Sequence, residues 1–309
     1  MNIVIPDQIS LKPKHFEIIK SLGNVKIYDD IPNEAELIKR IKDAELITAN
    51  WVEITPKIID NAPRLKFIVA PAVGYEWIAS EYAAKKGIKV LNCPTHNAAA
   101  VANLTIAFIL AITRRLKEAN RSVEEGKWIR RFKGVELEGK TLGLIGYGNS
   151  GKIVGEVAKL LGMKVKYANT KTPKEEVDEI IKTSDIISLH TPLTKDTKHL
   201  IDEHRIKMMK KGVYFINVSR GGVVDQKALI KALKSGHIAG AALDVFENES
   251  IKELDSGIDK EIIELAKMSN VITTPHMAYN TNEMFERMGE EIILNIKSCI
   301  NGKPINVVN

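Results

Sequence analysis

The sequence contains too few cysteines for a disulfide framework. Its 309 residues include only Cys93 and Cys299, and neither lies in a C-x-x-C spacing. Metal sites and redox motifs built on paired cysteines are therefore excluded, and we expect no metal and a reducing compartment. The N-terminal residues MNIVIP have strand character and lack the charged region and cleavage site of a signal peptide. We expect the protein to be cytoplasmic.

Long apolar runs and long runs of one charge are also missing. The most apolar stretch, 98–113, is too short for a typical transmembrane span and contains Asn103, so we expect a buried helix and no membrane partner. The 45 Lys and Arg residues exceed the 39 Asp and Glu residues, but they form only short clusters without interleaved aromatic residues. We therefore expect no nucleic-acid partner, and the net charge of +6 suits a small anionic substrate.

The chain does contain a regular alternation of short apolar segments and helical spacing, and its length predicts two domains. In the first part, helices are predicted at 34–42 and 56–61, with Thr55 as an N-cap, between strands at 3–5, 25–28, 46–49, 65–69 and 89–91. This order predicts a parallel sheet. Its fourth strand leads into the loop 70–74, at the edge where open α/β sheets bind ligands, although a purely structural turn is the alternative.

The second part is organised around residues 141–151, with the sequence TLGLIGYGNSG. A buried strand is predicted at 142–145, followed by the G-x-G-x-x-G spacing of Gly146, Gly148 and Gly151 and by a helix from about residue 152 to 161. In such a loop the first glycine permits a tight turn, the second lets the backbone approach a pyrophosphate, and the third lets the helix pack on the strand. The strand, loop and helix together predict dinucleotide binding.

A second α/β series surrounds this loop. A long helix is predicted at 98–119 and an amphipathic one at 283–299. Further helices are predicted near 174–181, 203–208 and 226–235, between strands at 164–167, 186–189, 214–218, 239–243 and 271–273. With the strand before the glycine loop these make six, the number in a doubly wound dinucleotide domain.

The segment after the strand at 164–167 bears on the choice of dinucleotide. In such domains an acidic residue about 20 residues beyond the loop binds the ribose 2′-hydroxyl of NAD. This chain has Asn169, Thr170 and Lys171 there, which would not repel a 2′-phosphate. The segment therefore favours NADP over NAD; the alternative is that Lys171 simply points into solvent.

Three residues that follow predicted strands are candidates for chemistry with a nicotinamide cofactor. Arg220 precedes two glycines and could bind a carboxylate through two hydrogen bonds. His276 could move a proton near neutral pH, and Glu249 could orient it. Taken singly, the arginine could be a surface ion-pair residue and the histidine a turn residue. The coincidence of all three at strand ends of one domain favours catalysis.

These motifs resemble those of the D-isomer-specific 2-hydroxyacid dehydrogenases. Besides the glycine loop, the similarity covers SDIISLHTPL at 184–193, NVSRGG at 217–222, ALDVFENE at 242–249 and TPH at 274–276. The resemblance implies an α/β protein with two doubly wound parallel-sheet domains. These would be a Rossmann-type cofactor domain at 98–280 and a flavodoxin-like, discontinuous substrate domain at 1–97 and 281–309.

The resemblance also implies residue roles. Arg220 would anchor the substrate carboxylate, with backbone N–H contacts from Val73 and Gly74. His276 would be the general acid and base, and Glu249 would orient and tune it. Thr191 and Pro192 would line the adenosine side, Val218 and Ser219 the nicotinamide side, and Asp244 would hold the carboxamide. The full set of implied cofactor contacts is Gly146, Tyr147, Gly148, Asn149, Ser150, Gly151, Asn169, Thr170, Lys171, His190, Thr191, Pro192, Thr197, Val218, Ser219, Asp244 and His276.

Assembly and motion are implied in the same way. The helix that starts at Ala98 and the arm 114–128 resemble the elements through which members of this family dimerise, so we expect a homodimer. Closure of the domains about hinges near 95–98 and 276–281 would exclude water from the reaction.

Some positions depart from the family's pattern. Asn103 stands where the family usually has Glu, Ser250 where it has Pro, and Asn169 where it has Asp. These changes affect loop shape and cofactor preference but remove no catalytic group. Glu249, in place of the Gln of formate-oxidising members, argues against formate oxidation.

The predicted function is reversible reduction of a small 2-oxo acid, preferably glyoxylate or hydroxypyruvate, to the D-2-hydroxy acid by NADPH or NADH. One alternative is oxidation of 3-phosphoglycerate, which would need basic side chains such as Lys12, Lys14 or Arg64 beside the substrate. Another is a non-catalytic, corepressor-like module that senses NAD(P).

Overall fold

Two parallel β-sheets form the centres of the two compact units into which the chain divides. In this computed structural model one unit comprises Met1–Asn97 and Asn280–Asn309, and the other comprises Ala98–Tyr279. The structure describes residues 1–247, 249 and 259–309. Asn248 of the motif at 242–249, and Ser250, one of the positions that depart from the family's pattern, therefore lie outside the described residues.

Neighbouring strands run parallel in both sheets, as the βα order predicts. The strands of the first unit are β1 (Asn2–Ile5), β2 (Asn24–Ile27), β3 (Leu46–Thr48), β4 (Phe67–Val69) and β5 (Lys89–Leu91). Those of the second unit are β6 (Thr141–Ile145), β7 (Lys164–Ala168), β8 (Ile186–Leu189), β9 (Val213–Asn217), β10 (Ile238–Leu243) and β11 (Val271–Thr273).

The order of the strands places a ligand crevice in each sheet. The first sheet has the order β2-β1-β3-β4-β5 and the second β11-β10-β9-β8-β6-β7. In both sheets the second strand along the chain lies on one side of the first strand and the third lies on the other side. The switch points therefore lie between β1 and β3 and between β6 and β8. Doubly wound sheets bind ligands beyond the carboxyl ends of the strands at this point.

The helices cover the sheets. They are α1 (Pro13–Lys20), α2 (Glu34–Ile41), α3 (Pro56–Asp60), α4 (Ser80–Lys85), α5 (Ala98–Thr113), α6 (Leu116–Glu124), α7 (Asn149–Leu160), α8 (Lys174–Thr183), α9 (Glu203–Met208), α10 (Gln226–Lys234), α11 (Lys260–Lys267) and α12 (Asn282–Ile300). Thr55 caps α3 as predicted, since its hydroxyl accepts from the Ile58 N–H at 3.4 Å. The sequence prediction missed α1, α4 and α11. Two of these, α1 and α4, begin without a side-chain cap, although Pro13 at the first position of α1 is itself a start signal.

The second sheet is buried on both faces. Adjacent residues of a strand point to opposite faces, so Phe215 and Ile216 of β9 join two different apolar clusters. All four residues of β8 are buried, which explains why its sequence is a short continuous run rather than an alternating one. Because both faces of this sheet are covered, the polar ends of its strands are the parts that remain accessible to a ligand.

The single helix predicted at 98–119 is wrong, because the chain breaks at Arg115, which has a φ of +55°. The Thr113 carbonyl accepts from the Val135 N–H at 2.9 Å, so it is taken by a residue from outside the helix. Lys117 fixes the new direction, because its ammonium donates to three carbonyl oxygens between residues 266 and 271. In the described ranges no single helix has the length and apolar content to cross a membrane. The consecutive helices α5 and α6 meet those limits only when taken together, and they are bent by 67°.

Candidate active site

The glycine loop lies where β6 turns into α7, at the carboxyl edge of the second sheet. Gly146 has a φ of +100°, and a Cβ at this position would lie 2.3 Å from the His190 carbonyl oxygen. A Cβ at Gly151, in the first turn of α7, would lie 2.5 Å from the Gly146 carbonyl oxygen. Both positions require glycine because backbone approaches them so closely.

Gly148 differs, because a Cβ added there would meet no atom within 4 Å. Gly148 is the N-cap of α7 and has no side chain with which to cap it. The N-terminus of this 12-residue helix therefore directs N–H groups and the positive end of its dipole toward open space. That space is a cradle for an anion, so the residues present fit a dinucleotide pyrophosphate.

A hydrogen-bonded chain of side chains supports this loop. The Ser150 hydroxyl lies 3.2 Å from His190 Nδ1, and the Ser188 hydroxyl lies 3.0 Å from His190 Nε2. Burial lowers the pKa of His190 from 6.5 to about 4, so the imidazole is neutral at pH 7. The ring of Tyr147, within the loop, stacks on Tyr167 of β7 with centroids 3.9 Å apart. Three predicted cofactor contacts, Tyr147, Ser150 and His190, thus lie in the glycine loop or in contact with it.

The turn after β7 is exposed and lies beside the glycine loop, since β7 pairs with β6. The Asn169 side-chain oxygen accepts from the Lys171 N–H at 2.9 Å, and the Thr172 hydroxyl accepts from the Asn169 N–H at 2.9 Å. These bonds fix the backbone around Thr170 without using the Lys171 ammonium. The turn from Asn169 to Thr172 contains no acidic side chain.

The loop after β8 is held by its own threonines. The Thr197 hydroxyl donates to the Pro192 carbonyl at 2.6 Å and accepts from the Thr194 N–H at 2.7 Å. Thr191 is half-buried and Pro192 is exposed. The predicted adenosine-side contacts therefore belong to one internally bonded loop at the carboxyl edge of β8.

Arg220 follows β9 at the same edge, and its backbone is held in place. Asn217 Oδ1 accepts from the Ser219 N–H at 3.0 Å and from its hydroxyl at 2.9 Å, while Asn217 Nδ2 donates to the Arg220 carbonyl at 3.0 Å. Arg220 Nη1 donates to the Ser219 carbonyl at 2.8 Å. Val218 and Ser219 are buried. A 3₁₀ turn, Gly221–Val223, continues the segment.

His276 and Glu249 form a pair, although they are 27 residues apart in the sequence. His276 Nδ1 lies 3.0 Å from Glu249 Oε1, and both side chains are partly exposed. Because an ionised carboxylate can only accept, Nδ1 carries a hydrogen and donates it. This arrangement leaves His276 Nε2 as the ring atom that can give or take a proton.

Asp244, at the end of β10, holds the turn that carries His276. Its buried carboxylate accepts from the Thr274 hydroxyl, from the Met277 N–H at 2.9 Å and from the Ala278 N–H at 2.8 Å. Its backbone carbonyl accepts from the His276 N–H at 2.8 Å. His276 has a φ of +50°, a left-handed conformation that a side chain other than glycine adopts only when its surroundings impose it. Sequence reasoning assigned Asp244 only to the carboxamide and missed this role.

Val73 and Gly74 lie in the first unit, in the loop after β4. The Val73 carbonyl accepts from Asn92 Nδ2 at 2.8 Å, and the Val73 side chain is exposed. The second unit alone brings the other predicted groups to one edge: the glycine loop after β6, Arg220 after β9, Glu249 after β10 and His276 after β11. Direct contact joins His276 to Glu249.

Comparison with known proteins is consistent with these features. Residues 106–278 match the family described as D-isomer specific 2-hydroxyacid dehydrogenase, NAD binding domain. A glyoxylate reductase from Thermococcus litoralis is 38% identical over 331 residues, covering 97% of each chain. A D-3-phosphoglycerate dehydrogenase from Methanocaldococcus jannaschii is 38% identical over 307 residues, which cover 95% of this chain. The chain spans 57% of the length of that second relative.

Solved structures match over nearly the whole chain. An acyclic imino acid reductase in complex with NADPH and D-arginine has a TM-score of 0.90 and 32% identity, with 100% of both chains covered. A D-lactate dehydrogenase from Aquifex aeolicus, complexed with NAD and lactic acid, has a TM-score of 0.85 and 35% identity, with 98% of this chain and 96% of that chain covered. Both structures contain a nicotinamide cofactor.

Proposed function

The chain belongs to the D-isomer specific 2-hydroxyacid dehydrogenases, and on that basis we propose that it reduces glyoxylate or hydroxypyruvate reversibly to the D-2-hydroxy acid. It is an NAD(P)-dependent oxidoreductase that acts on the CH–OH group of 2-hydroxy acids. The observation that carries the proposal is the His276–Glu249 pair, 3.0 Å apart, at the sheet edge from which Arg220 also extends.

The proposed roles follow from the chemistry of each group. When bound, the nicotinamide cofactor supplies a hydride to C2 of the 2-oxo acid, or accepts it in the reverse direction. Because Glu249 accepts from His276 Nδ1–H, Nε2 is the atom that gives a proton to the C2 oxygen, or takes it back. The Arg220 guanidinium binds the substrate carboxylate, and the N–H groups of Val73 and Gly74 add to its binding.

We assign cofactor binding to residues 98–280 and substrate binding to residues 1–97 and 281–309. The position of the glycine loop and of the His276–Glu249 pair in one unit supports the first assignment.

For the cofactor we propose a preference for NADPH, with NADH also used. The absence of an acidic side chain from Asn169 to Thr172 supports this preference, because a carboxylate there would repel a 2′-phosphate. The imino acid reductase bound to NADPH adds support, whereas the D-lactate dehydrogenase is bound to NAD. Lys171→Glu should shift the kcat/KM ratio toward NADH, and a wild-type preference for NADH of tenfold or more would contradict the proposal.

Oxidation of 3-phosphoglycerate is the second candidate, since one relative is named for that activity. A phosphorylated substrate needs unpaired cations near it. Lys12 Nζ lies 2.6 Å from a Glu286 carboxylate oxygen, and Lys14 contacts the same carboxylate. Arg64 precedes β4 and so lies toward its amino end, away from the Val73 loop. These positions favour the unphosphorylated substrates.

We also propose a cytoplasmic homodimer. The arm 114–128 and the residue after it expose large apolar side chains that a second copy would cover. The exposed fractions are 53% for Leu116, 56% for Val123, 83% for Trp128 and 45% for Ile129. Sedimentation of the wild type against Trp128→Ser tests this, since a monomeric wild type would contradict it.

The proposed function is tested by assaying glyoxylate, hydroxypyruvate, pyruvate and 3-phosphohydroxypyruvate with NADH and NADPH in parallel. We expect the highest kcat/KM for glyoxylate or hydroxypyruvate. His276→Ala should lower kcat by about 10²- to 10⁴-fold while cofactor binding persists. Full turnover in that variant, or a preference for the phosphorylated acid, would refute the assignment.

A further inference from the structure

A second histidine–carboxylate pair lies beside the His276–Glu249 pair. His199 Nε2 is 2.5 Å from Glu247 Oε1, and Glu247 is two residues from Glu249. Because the carboxylate accepts, Nε2 must carry the hydrogen. The side chains are 40% and 27% exposed, so the contact is accessible to solvent. Burial alone therefore does not explain why the two groups are paired.

His199 is itself fixed to the segment that carries Arg220. Its N–H donates to the Gly222 carbonyl at 2.9 Å, and the next contact along the chain is the Ile201 N–H donating to the Val223 carbonyl at 3.0 Å. His199 has a φ of +49°, a conformation that is uncommon for a residue with a side chain. These bonds to Gly222 and Val223 thus fix the backbone from which the His199 imidazole extends.

Among the described residues 245–247 and 249, the contacts made to residues outside the segment are shorter than those within it. The Glu249 N–H donates to the Phe246 carbonyl at 3.4 Å, and the Phe246 N–H donates to Glu249 Oε2 at 3.4 Å. The external contacts of Glu247 are shorter, namely 2.5 Å to His199 and 3.2 Å from its N–H to Gln226 Oε1. Loss of the hydrogen bond between His199 and Glu247 therefore removes the shortest, and so the strongest, of these four contacts.

The same segment packs directly on the backbone next to Arg220. A Cβ at Gly221 would lie 1.9 Å from the carbonyl carbon of Phe246 and 2.4 Å from the Glu247 nitrogen, so the two backbones touch. His199 bonds to both sides of this contact, through its N–H to Gly222 and through its ring to Glu247. Arg220 and Glu249 are therefore placed relative to each other by one shared set of contacts.

We propose that His199 and Glu247 are positioning residues for the dehydrogenase reaction: their hydrogen bond fixes the segment that presents Glu249 to His276 and joins it to the Arg220 segment. The part that concerns turnover rests on the proposed function, whereas the part that concerns the His276–Glu249 contact does not. A displacement of about 1 Å at a catalytic group lowers turnover by up to about 10²-fold. We expect kcat to fall by about 10-fold or more when the bond is lost, with a smaller change in cofactor affinity.

The variants are chosen to remove the bond while sparing the backbone. His199→Asn keeps a residue type that tolerates positive φ but is too short to reach Glu247. Glu247→Ala removes the acceptor, and Glu247→Gln retains an oxygen at the same distance and should restore part of the effect. Glu203→Ala is the matched control, because it also removes an exposed carboxylate from an ion pair, 3.1 Å from Lys207 in α9.

Two measurements separate positioning from simple stability. One is the NMR signal of the His276 Nδ1 hydrogen, which is shifted downfield and protected from exchange while it is bonded to Glu249. The other is kcat and KM with the preferred 2-oxo acid. In His199→Asn and Glu247→Ala we expect faster exchange of that hydrogen and lower kcat, no further loss in the double variant, partial recovery in Glu247→Gln, and wild-type behaviour in Glu203→Ala.

If the His276 signal and kcat match the wild type in both variants and only the melting temperature falls, the proposal is overturned. If the signal is lost in these variants but the wild type reduces none of the 2-oxo acids, the positioning role is supported and the proposed function is refuted.

Discussion

Asp244→Asn changes one atom of a buried carboxylate and tests how His276, the proposed general acid and base, is held. Oδ1 accepts from the Thr274 hydroxyl and the Met277 N–H, and Oδ2 accepts from the Ala278 N–H. An amide that keeps its oxygen at the Oδ1 position turns its NH₂ group toward the Ala278 N–H, donor against donor. The opposite orientation leaves the Met277 N–H without an acceptor.

The cost can be worked from these contacts. One buried N–H that loses its acceptor costs about 1–3 kcal/mol. The remaining bonds lose charge assistance, which makes them about half as strong, so we expect the free energy of unfolding to fall by about 3 kcal/mol in total. His276 is held in a left-handed conformation that costs about 1–3 kcal/mol, and the weakened turn will relax from it. A shift of about 1 Å in the imidazole lowers kcat by about 10²-fold.

Urea unfolding and steady-state kinetics measure the two effects separately. The control is Asp185→Asn in the same unit, where a carboxylate accepts from the Thr141 N–H at 2.8 Å and pairs with Lys210 at 2.8 Å. Asp185 precedes β8, at the amino edge, so it should lose stability without losing turnover. The reasoning is refuted if Asp244→Asn keeps kcat within about twofold of the wild type, or if Asp185→Asn lowers kcat as much.

Three further outcomes are expected. Lys12 and Lys14 lower the pKa of Glu286 from 4.5 to about 2, so its ion pairs stabilise the fold above pH 4.5 and that stability is lost as the pH falls toward 2. The difference in unfolding free energy between the wild type and Glu286→Gln should therefore shrink over that range. A difference that does not depend on pH would contradict this. Arg220→Ala should mainly raise KM for the 2-oxo acid, because it removes binding shared by ground and transition states; an unchanged KM would exclude Arg220 as the carboxylate anchor. Gly148→Ala should leave the melting temperature nearly unchanged, since a Cβ there meets no atom within 4 Å. The same variant should weaken NADPH binding at least tenfold, as measured by calorimetry. An unchanged affinity would show that the pyrophosphate does not bind at this loop.

Most strands could be predicted from the sequence because a short apolar run between turn residues is sufficient to indicate a buried strand. β8 and β10 are examples, since both are largely buried and both were predicted within one residue of their bounds. The break between α5 and α6 could not be predicted, because the contacts that cause it come from Val135 and from the carbonyl oxygens of residues 266–271. Local periodicity contains no information about partners so distant in the chain.

The sequence by itself determined the glycine loop and the family, and it singled out Arg220, Glu249 and His276 as candidates, since each depends on residue type and short spacing. Only the tertiary structure decided how those residues are held. Thr274 meets Asp244 across 30 residues and His199 meets Glu247 across 48, and both contacts exist because the loops that follow different strands converge at one edge of the sheet. The physical reason is that a parallel sheet brings the carboxyl ends of its strands together, whereas which loops meet there depends on strand order and packing that no local pattern encodes.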